Sequence, residues 1–408
     1  MALHDVVILG AARTPIGRFG GSFKDVHAAE LGMVAAKAAI TRAGLEPSDI
    51  QEVLMGHGRP AGVGPNPARQ VAHRTGVPNT SPAYTINKAC AGGMQALASG
   101  AQSVVLGESE VVLAGGIENM SRVPYLVDAA DARWGHKMGH FQFVDAMYRD
   151  GFADPLSGLI MGETAEVLAR QYGITREQSD QFALESQRKA EAAQKAGYFT
   201  REIAPVTITE KGKSIEVSVD EHPRHGSTIE AIRKLPLTFP KVDGHDGIIS
   251  AGSASGITDG AAAIVLASSE FANKRGLKPL AKIVGWTSAG VDPRIMGIGP
   301  VPAIAKLKER FGLSIGDFDL VEINEAFAAQ VLAVLKDVPI SAGKLNVNGG
   351  AIALGHPIGC SGARIVVTLL HELQRRGKTK GLATLCVSGG MGMAMAIEVC
   401  SQESTVKS

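Results

Sequence analysis

Cys90-Ala91-Gly92 recurs as Cys360-Ser361-Gly362, 270 residues later. Each cysteine opens a segment rich in small residues that reads as a helix. A strand and a glycine pair follow, Gly115-Gly116 in the first case and Gly389-Gly390 in the second. Working outward, Gly44-Leu45, Asp49 and Val53 recur as Gly312-Leu313, Asp317 and Val321 at a constant offset of 268. Near-constant offsets across four elements predict two homologous halves.

Short apolar, β-branched runs alternate with longer Ala-rich segments. Val6–Leu9, Glu52–Met55, Val111–Ala114, Ala263–Ala267, Leu280–Val284, Leu320–Ile323 and Leu382–Val387 read as buried strands. Glu30–Ala43, Gly92–Leu106, Pro302–Phe311 and Gly362–Arg376 read as the helices between them. This alternation predicts an α/β fold with mostly parallel sheets. Ser121 to about Ile257 differs in composition. It holds Trp134, a Met/His stretch and a long polar helix opened by a Thr175/Gln178 capping box. Lys211–Val219 alternates like an exposed strand, and the whole segment reads as an insertion.

A chain of 408 residues exceeds one ordinary core. Its 41 basic and 40 acidic side chains nearly cancel, which argues against nucleic acid or a membrane surface as the main partner. The 49 glycines follow no collagen period and imply tight turns and close backbone approaches. Cys90, Cys360, Cys386 and Cys400 are too few for a disulfide framework and fit a reducing cytoplasm. Met1-Ala2-Leu3-His4-Asp5 lacks the basic start and cleavage site of a leader and runs into a first strand. No apolar run reaches the ~18 residues of a membrane span, and the tail Thr405-Val406-Lys407-Ser408 carries no legible address.

Four stretches suggest chemistry. Cys90 ends the strand-like Ile86-Asn87-Lys88-Ala89 and precedes a helix, where the positive dipole end favours thiolate. A buried structural thiol is the plain alternative. Cys386 precedes the glycine-dense Ser388-Gly389-Gly390-Met391-Gly392, which suits either an oxyanion-binding backbone or a simple turn. His356 is held extended by Pro357 between glycines. Asn324, in Ile323-Asn324-Glu325-Ala326-Phe327, reads equally well as a helix cap.

Other patterns are set aside. Gly56-His57-Gly58-Arg59-Pro60-Ala61 imitates a dinucleotide fingerprint, but Pro60, Pro65 and Pro67 block the receiving helix. His371-Glu372 lacks the second histidine of a zinc-protease motif, since Arg375 stands there. His222 and His225 lack further ligands, so no metal site is expected. Cys360 copies Cys90 by repetition and need not react.

Together these segments resemble the thiolase family over nearly the whole chain, from Val7-Ile8-Leu9-Gly10 to Ile397-Glu398. The resemblance rests on Asn87-Lys88-Ala89-Cys90, Asn324-Glu325-Ala326-Phe327, Gly355-His356-Pro357 and Cys386-Val387-Ser388-Gly389-Gly390 in family order. It implies two similar halves in a five-layered αβαβα sandwich with an inserted loop domain. The division would be 1–119 completed by 258–279, then 120–257 as the insertion, then 280–408. It implies Cys90 as the acyl-accepting nucleophile and His356 as the base that activates it. Cys386 would be the acid/base for the second thioester. His356 and Asn324, through a water, would hold one thioester oxygen, and the backbone N–H groups of Cys90 and Ser388 the other. For acyl-CoA and CoA, the family pattern points to Arg224 near the adenine and Ser255 on the pantetheine. Met161, Met296, Ala326 and Phe327 would line the reactive pocket. Arg224 equally suits a solvated loop charge, and Ser255 a turn. Coenzyme A thioesters are substrates here, with no cofactor, and family habit implies a homodimer or homotetramer in the cytoplasm.

Three positions depart from the family pattern. Gly92 stands where Ser is usual, Ser388 where Gly is usual, and Ile160 where many acetoacetyl-CoA-forming members carry His. The last points toward longer 3-ketoacyl chains. Two rivals remain: a catalytically silent acyl-CoA or lipid binder, and a β-ketoacyl synthase. The synthases usually place His or Asn where Cys386 sits.

Overall fold

The computed structural model describes residues 6–400. The readings of Met1–Asp5 and of the tail after Cys400 lie outside them. In chain order the principal elements are β1 (Val6–Arg13), α1 (Ala28–Arg42), β2 (Glu52–Gly56), α2 (Pro67–Thr75), β3 (Ala83–Ile86), α3 (Gly92–Leu106) and β4 (Val111–Asn119). Then come α4 (Met161–Gln171), α5 (Arg176–Lys195), β5 (Val206–Glu210), β6 (Lys213–Val217) and β7 (Thr258–Ser268). The second half holds β8 (Ala281–Gly290), α6 (Pro300–Phe311), β9 (Leu320–Ile323), α7 (Ala328–Asp337), α8 (Ile358–Arg376), β10 (Lys380–Val387) and β11 (Met391–Val399).

The strands follow the order β9-β10-β11-β8-β1-β7-β4-β2-β3. The two halves meet at β1 and β8, paired through Val7–Lys282 and Ile8–Ala281. Each flanking set of strands acts as its own sheet. Inward-facing Ile8, Val112, Leu385, Met393 and Met395 enclose α3 and α8, which contribute Met94, Leu97, Val366 and Leu370. On the far face of the first sheet, Val7, Val53 and Leu113 pack under Leu31, Ile40 and Val71 of α1 and α2. On the far face of the second, Ile323, Leu382 and Ala394 pack under Ile304, Leu307 and Val334 of α6 and α7. The result is a five-layered αβαβα sandwich whose strands alternate sides with period two.

The sheets are mixed, which corrects the expectation of mostly parallel strands. Only β2–β3, β2–β4 and β9–β10 run parallel among these strands. Parallel neighbours arise where a helix carries the chain back across the sheet. The β10–β11 pair is instead closed by a tight turn at Ser388-Gly389-Gly390, with φ of 85° and 81° at the two glycines, so it must be antiparallel. β7 returns from the inserted segment to run antiparallel between β1 and β4.

Within that segment, Thr175 caps α5 and Gln178 answers it, as the capping box predicts. The exposed strand read at Lys211–Val219 is shorter: Lys211-Gly212 forms the turn of the β5–β6 hairpin, at φ 49° and 77°. The segment is tied to β1 by buried Arg13, whose guanidinium meets Glu202 at 2.6 Å and Asp220 at 2.6 Å.

Small residues let the two central helices begin against strand ends. A Cβ on Gly56 would lie 2.1 Å from the carbonyl carbon of Gly92, and one on Gly116 2.1 Å from the carbonyl oxygen of Gly359. These approaches set the starts of α3 and α8 side by side. Cys90 and His356 sit just before those starts.

Candidate active site

Cys90 lies in a short turn, Ala89–Ala91, that leads into α3. Ala89 adopts the left-handed conformation, φ 43°, although it is not glycine. Its N–H donates to Oδ1 of Asn87 at 3.1 Å, which fixes the turn. The thiol then faces the second half of the chain, with Sγ 3.3 Å from Nε2 of His356.

His356 is 7% exposed. Its Nδ1 lies 2.6 Å from the Ser361 hydroxyl, which itself donates to the Pro357 carbonyl at 3.0 Å. Burial, followed by the cations Arg364 and Arg59, holds the His356 pKa down to about 3. The imidazole is therefore neutral at physiological pH. Asn324 is fully buried, its Nδ2 is 3.5 Å from His356 Nε2, and its Oδ1 has no hydrogen-bond partner. The helix-cap reading of Asn324 does not hold, because α7 starts at Ala328 with Phe327 at its cap.

Cys386 is 1% exposed near the end of β10, covered by Met296 and Ala326 and flanked by Met161 and Phe327. Burial pushes its thiol up, and the neighbouring Cys90 pushes the same way. Cys90 is also pushed up by burial. Arg59 is the largest opposing influence, followed by the backbone N–H groups of Ser388 and of Cys90 itself. The expectation that a helix start would favour thiolate is thus outweighed: crowding of the thiol exceeds what one turn's dipole supplies. Cys360, the repeat of Cys90, is buried and pushed up to about 12.

One cavity of about 240 Å³ is lined by Cys90, His356, Cys386, Ser388, Met161, Met296, Ala326, Phe327 and Ser255. Ser255 is held by its N–H, which donates to the Ala326 carbonyl at 2.9 Å. Asn324 touches the group through His356. Arg224 is not brought in: it is exposed and lines a separate small cavity with His222 and Ser227. His222 bonds the Ala353 carbonyl at 2.7 Å, and Glu372 is occupied by Arg375 and Arg376. Among the described residues no group of three His, Cys, Asp or Glu side chains is placed to hold a metal ion.

The sequence reading missed two residues beneath the pocket. Arg59 lines it, within the stretch set aside as a false fingerprint. Glu118, fully buried at the end of β4, accepts N–H groups from Gly58 at 2.9 Å, Arg59 at 3.2 Å and Gly359 at 2.8 Å. His57 Nε2 lies 3.0 Å from the same carboxylate. Burial pushes Glu118 up, but His57, the Gly359 N–H and Arg59 overcome it and hold the carboxyl below its usual range. An acidic residue directly after the apolar run Val111–Ile117 was the available signal.

Known proteins match nearly the whole chain. The family described as thiolase, N-terminal domain, matches residues 6–270, and thiolase, C-terminal domain, matches 277–399. The chain belongs to the thiolase family. An acetyl-CoA acetyltransferase of Rhizobium meliloti (strain 1021) is 50% identical over 398 residues, covering 98% of this chain and 100% of the relative. One of Escherichia coli (strain K12) is 50% identical, covering 97% and 99%. Among solved structures, the Bacillus anthracis acetyl-CoA acetyltransferase superposes with a TM-score of 0.94 at 49% identity, covering 98% and 100%. The human mitochondrial 3-ketoacyl-CoA thiolase in complex with CoA does so with 0.92 at 44%, with the same coverage.

Proposed function

We propose that this thiolase transfers acyl groups reversibly between CoA thioesters through an acyl-Cys90 intermediate. It condenses two acetyl-CoA to acetoacetyl-CoA plus CoA, and cleaves 3-ketoacyl-CoA with CoA. The observation that carries the reading is the 3.3 Å contact of Cys90 Sγ with neutral His356, in one pocket with Cys386.

The chemistry runs in two halves. His356 Nε2 takes the Cys90 proton, and the sulfur attacks the thioester carbonyl. The carbonyl–S(CoA) bond breaks, and CoA leaves as a thiol with the proton from His356. For condensation, the thiol proton of Cys386 passes to neutral His356, and the thiolate so formed removes an α-proton from the second acetyl-CoA. The resulting enolate carbon attacks the acyl-Cys90 carbonyl and expels the Cys90 sulfur, which takes the proton back from His356. Thiolysis is the reverse. One carbonyl oxygen is assigned to His356 with Asn324 through a water, and the other to the N–H groups of Cys90 and Ser388. Preorganised donors of this kind are worth roughly 3–4 kcal/mol each in other enzymes.

The apolar lining from Ile160, Phe152 and Phe239 supports acceptance of chains beyond acetoacetyl. CoA would run past Ser255, with Arg224, which lines a neighbouring cavity, at the adenine end. The strand order, with β7 returning beside β1 and β4, supports the division into 1–119 with 258–279, then 120–257, then 280–408. Assembly as a homodimer or homotetramer is supported by exposed Tyr125, Trp134, Met138 and Phe143 on the inserted segment. Free cysteines support a cytoplasmic place, and the substrate class a role in fatty acid metabolism.

The test is intact mass after acetyl-CoA, with thiolysis of acetoacetyl-CoA and 3-ketooctanoyl-CoA on the same preparation. Wild type gains one acetyl group, Cys90→Ala gains none, and Cys386→Ala acylates but does not condense. An unacetylated wild type would leave a silent binder. A strong preference for the C4 substrate would overturn the Ile160 reading.

A further inference from the structure

Arg59 has no place in the chemistry above, yet it forms part of the wall that Cys90 and His356 share. It is 6% exposed. Its guanidinium is fixed by two backbone carbonyls, Gly58 at 3.1 Å and Gly151 at 2.9 Å. Its Nε has no hydrogen-bond partner, and a Cβ on Gly151 would stand 2.6 Å from it, so the group is packed in place. No carboxylate forms a close ion pair with it among the described residues. Glu118 spends its oxygens on backbone N–H groups and His57.

Arg59 already faces the buried Glu118 carboxylate, but it also lines the pocket that holds Cys90, and the field of a buried cation is weakly screened there. The anion that arises in that pocket in each proposed turnover is the Cys90 thiolate. We propose that Arg59 is an electrostatic positioning residue, a permanent buried cation that stabilises the Cys90 thiolate formed before acylation and released after transfer.

The groups packed around Cys90 are few. Arg59 and His57 come from the loop after β2, and Glu118 from the end of β4. His356 comes from the loop before α8, and Cys386 from the end of β10. His356 and Cys386 are neutral near pH 7, since their shifts disfavour the charged forms. Glu118 opposes the thiolate, and Arg59 exceeds it. Arg364, farther along α8, acts on His356.

The experiment is the pH dependence of Cys90 alkylation by iodoacetamide, read by peptide mass, in wild type, Arg59→Gln and Arg59→Lys. Gln keeps a donor for the carbonyl brace and removes the charge; Lys keeps the charge and loses the planar fork. Arg59→Gln is expected to raise the apparent midpoint by about one unit and to slow alkylation at neutral pH roughly tenfold. Arg59→Lys should stay within a few tenths of wild type. The midpoint belongs to the coupled Cys90–His356 pair, and the comparison between variants carries the result. Coincident profiles for all three proteins would overturn the proposal. Equal shifts in both variants would overturn it too, because they assign Arg59 to bracing the Gly151 loop. Arg59→Leu is the second neutral variant should Arg59→Gln not fold.

The inference rests on the thiolase reading for its consequence in turnover but not for the titration. A protein that takes no acetyl group yet shows the shift fails as a thiolase while Arg59 stands. An active enzyme with an unshifted midpoint fails for Arg59 alone.

Discussion

Ser361 fixes which nitrogen of His356 carries the proton. Its single hydroxyl hydrogen goes to the Pro357 carbonyl at 3.0 Å, so its oxygen can only accept from Nδ1–H, 2.6 Å away. Nε2 is left as a bare lone pair 3.3 Å from the Cys90 sulfur. The imidazole is thus held in the tautomer that faces the thiol with a free lone pair, by a side chain one helical turn along α8.

Removing that hydroxyl frees the ring to carry its proton on either nitrogen. Ser361→Ala is expected to lower kcat about tenfold to a hundredfold with KM little changed, as loss of an orienting partner does elsewhere. Steady-state thiolysis of acetoacetyl-CoA reads the split. A change confined to KM would show that Ser361 serves binding rather than the tautomer.

Ala89 bears a conformation that L-residues avoid, at a cost of roughly 1–2 kcal/mol. Ala89→Gly relieves it, offset by the ~0.5–1 kcal/mol entropy that glycine brings. The expected outcome is a protein as stable as wild type or up to about 1 kcal/mol more stable, with slower acylation because Cys90 is aimed less firmly. Urea unfolding and acyl-enzyme burst rates measure the two. A clear loss of stability would mean that the turn carries no strain.

His371, on α8, is held down to about 4, by burial first and then by Arg42. Its unfolded value is ~6.5. The folded state therefore binds this proton less readily, so its contribution is complete above pH ~6.5 and is lost as pH falls toward 4. Asp259, pushed up to about 6 by burial, acts in the opposite sense: its unfolded form gives up the proton first, and stability falls as pH rises from ~4 to 6. Comparing wild type with His371→Gln isolates the first effect. The variant is expected to lose less stability between pH 6.5 and 4.5, by up to about 2 kcal/mol. Parallel stability curves would assign the acid limb to other groups.

The halves and the reactive positions were legible because each rests on a local pattern. Apolar runs marked β2, β4, β9 and β10, and glycines beside Cys90, His356 and Cys386 marked close approach. Strand direction was not legible, since it depends on whether a helix or a tight turn such as Ser388-Gly389-Gly390 joins neighbours. Arg59 and Glu118 were hidden for a related reason. They work across 59 residues of sequence, Glu118 binding the very N–H that precedes the Arg59 side chain. The ionisation of Cys90 was misread because one turn's dipole is visible in sequence while the crowding around a thiol is not.

Glu118 grips Gly58 and Arg59 with one half of the molecule and Gly359, three residues past His356, with the other. Cys90 and His356 thus belong to different repeats joined by one carboxylate. Neither repeat holds a partial activity that it could keep alone. On the proposed chemistry, parting the repeats at this seam would separate the thiol from the imidazole and stop turnover while both sheets are still folded. Activity would in this sense serve as a strain gauge for the seam.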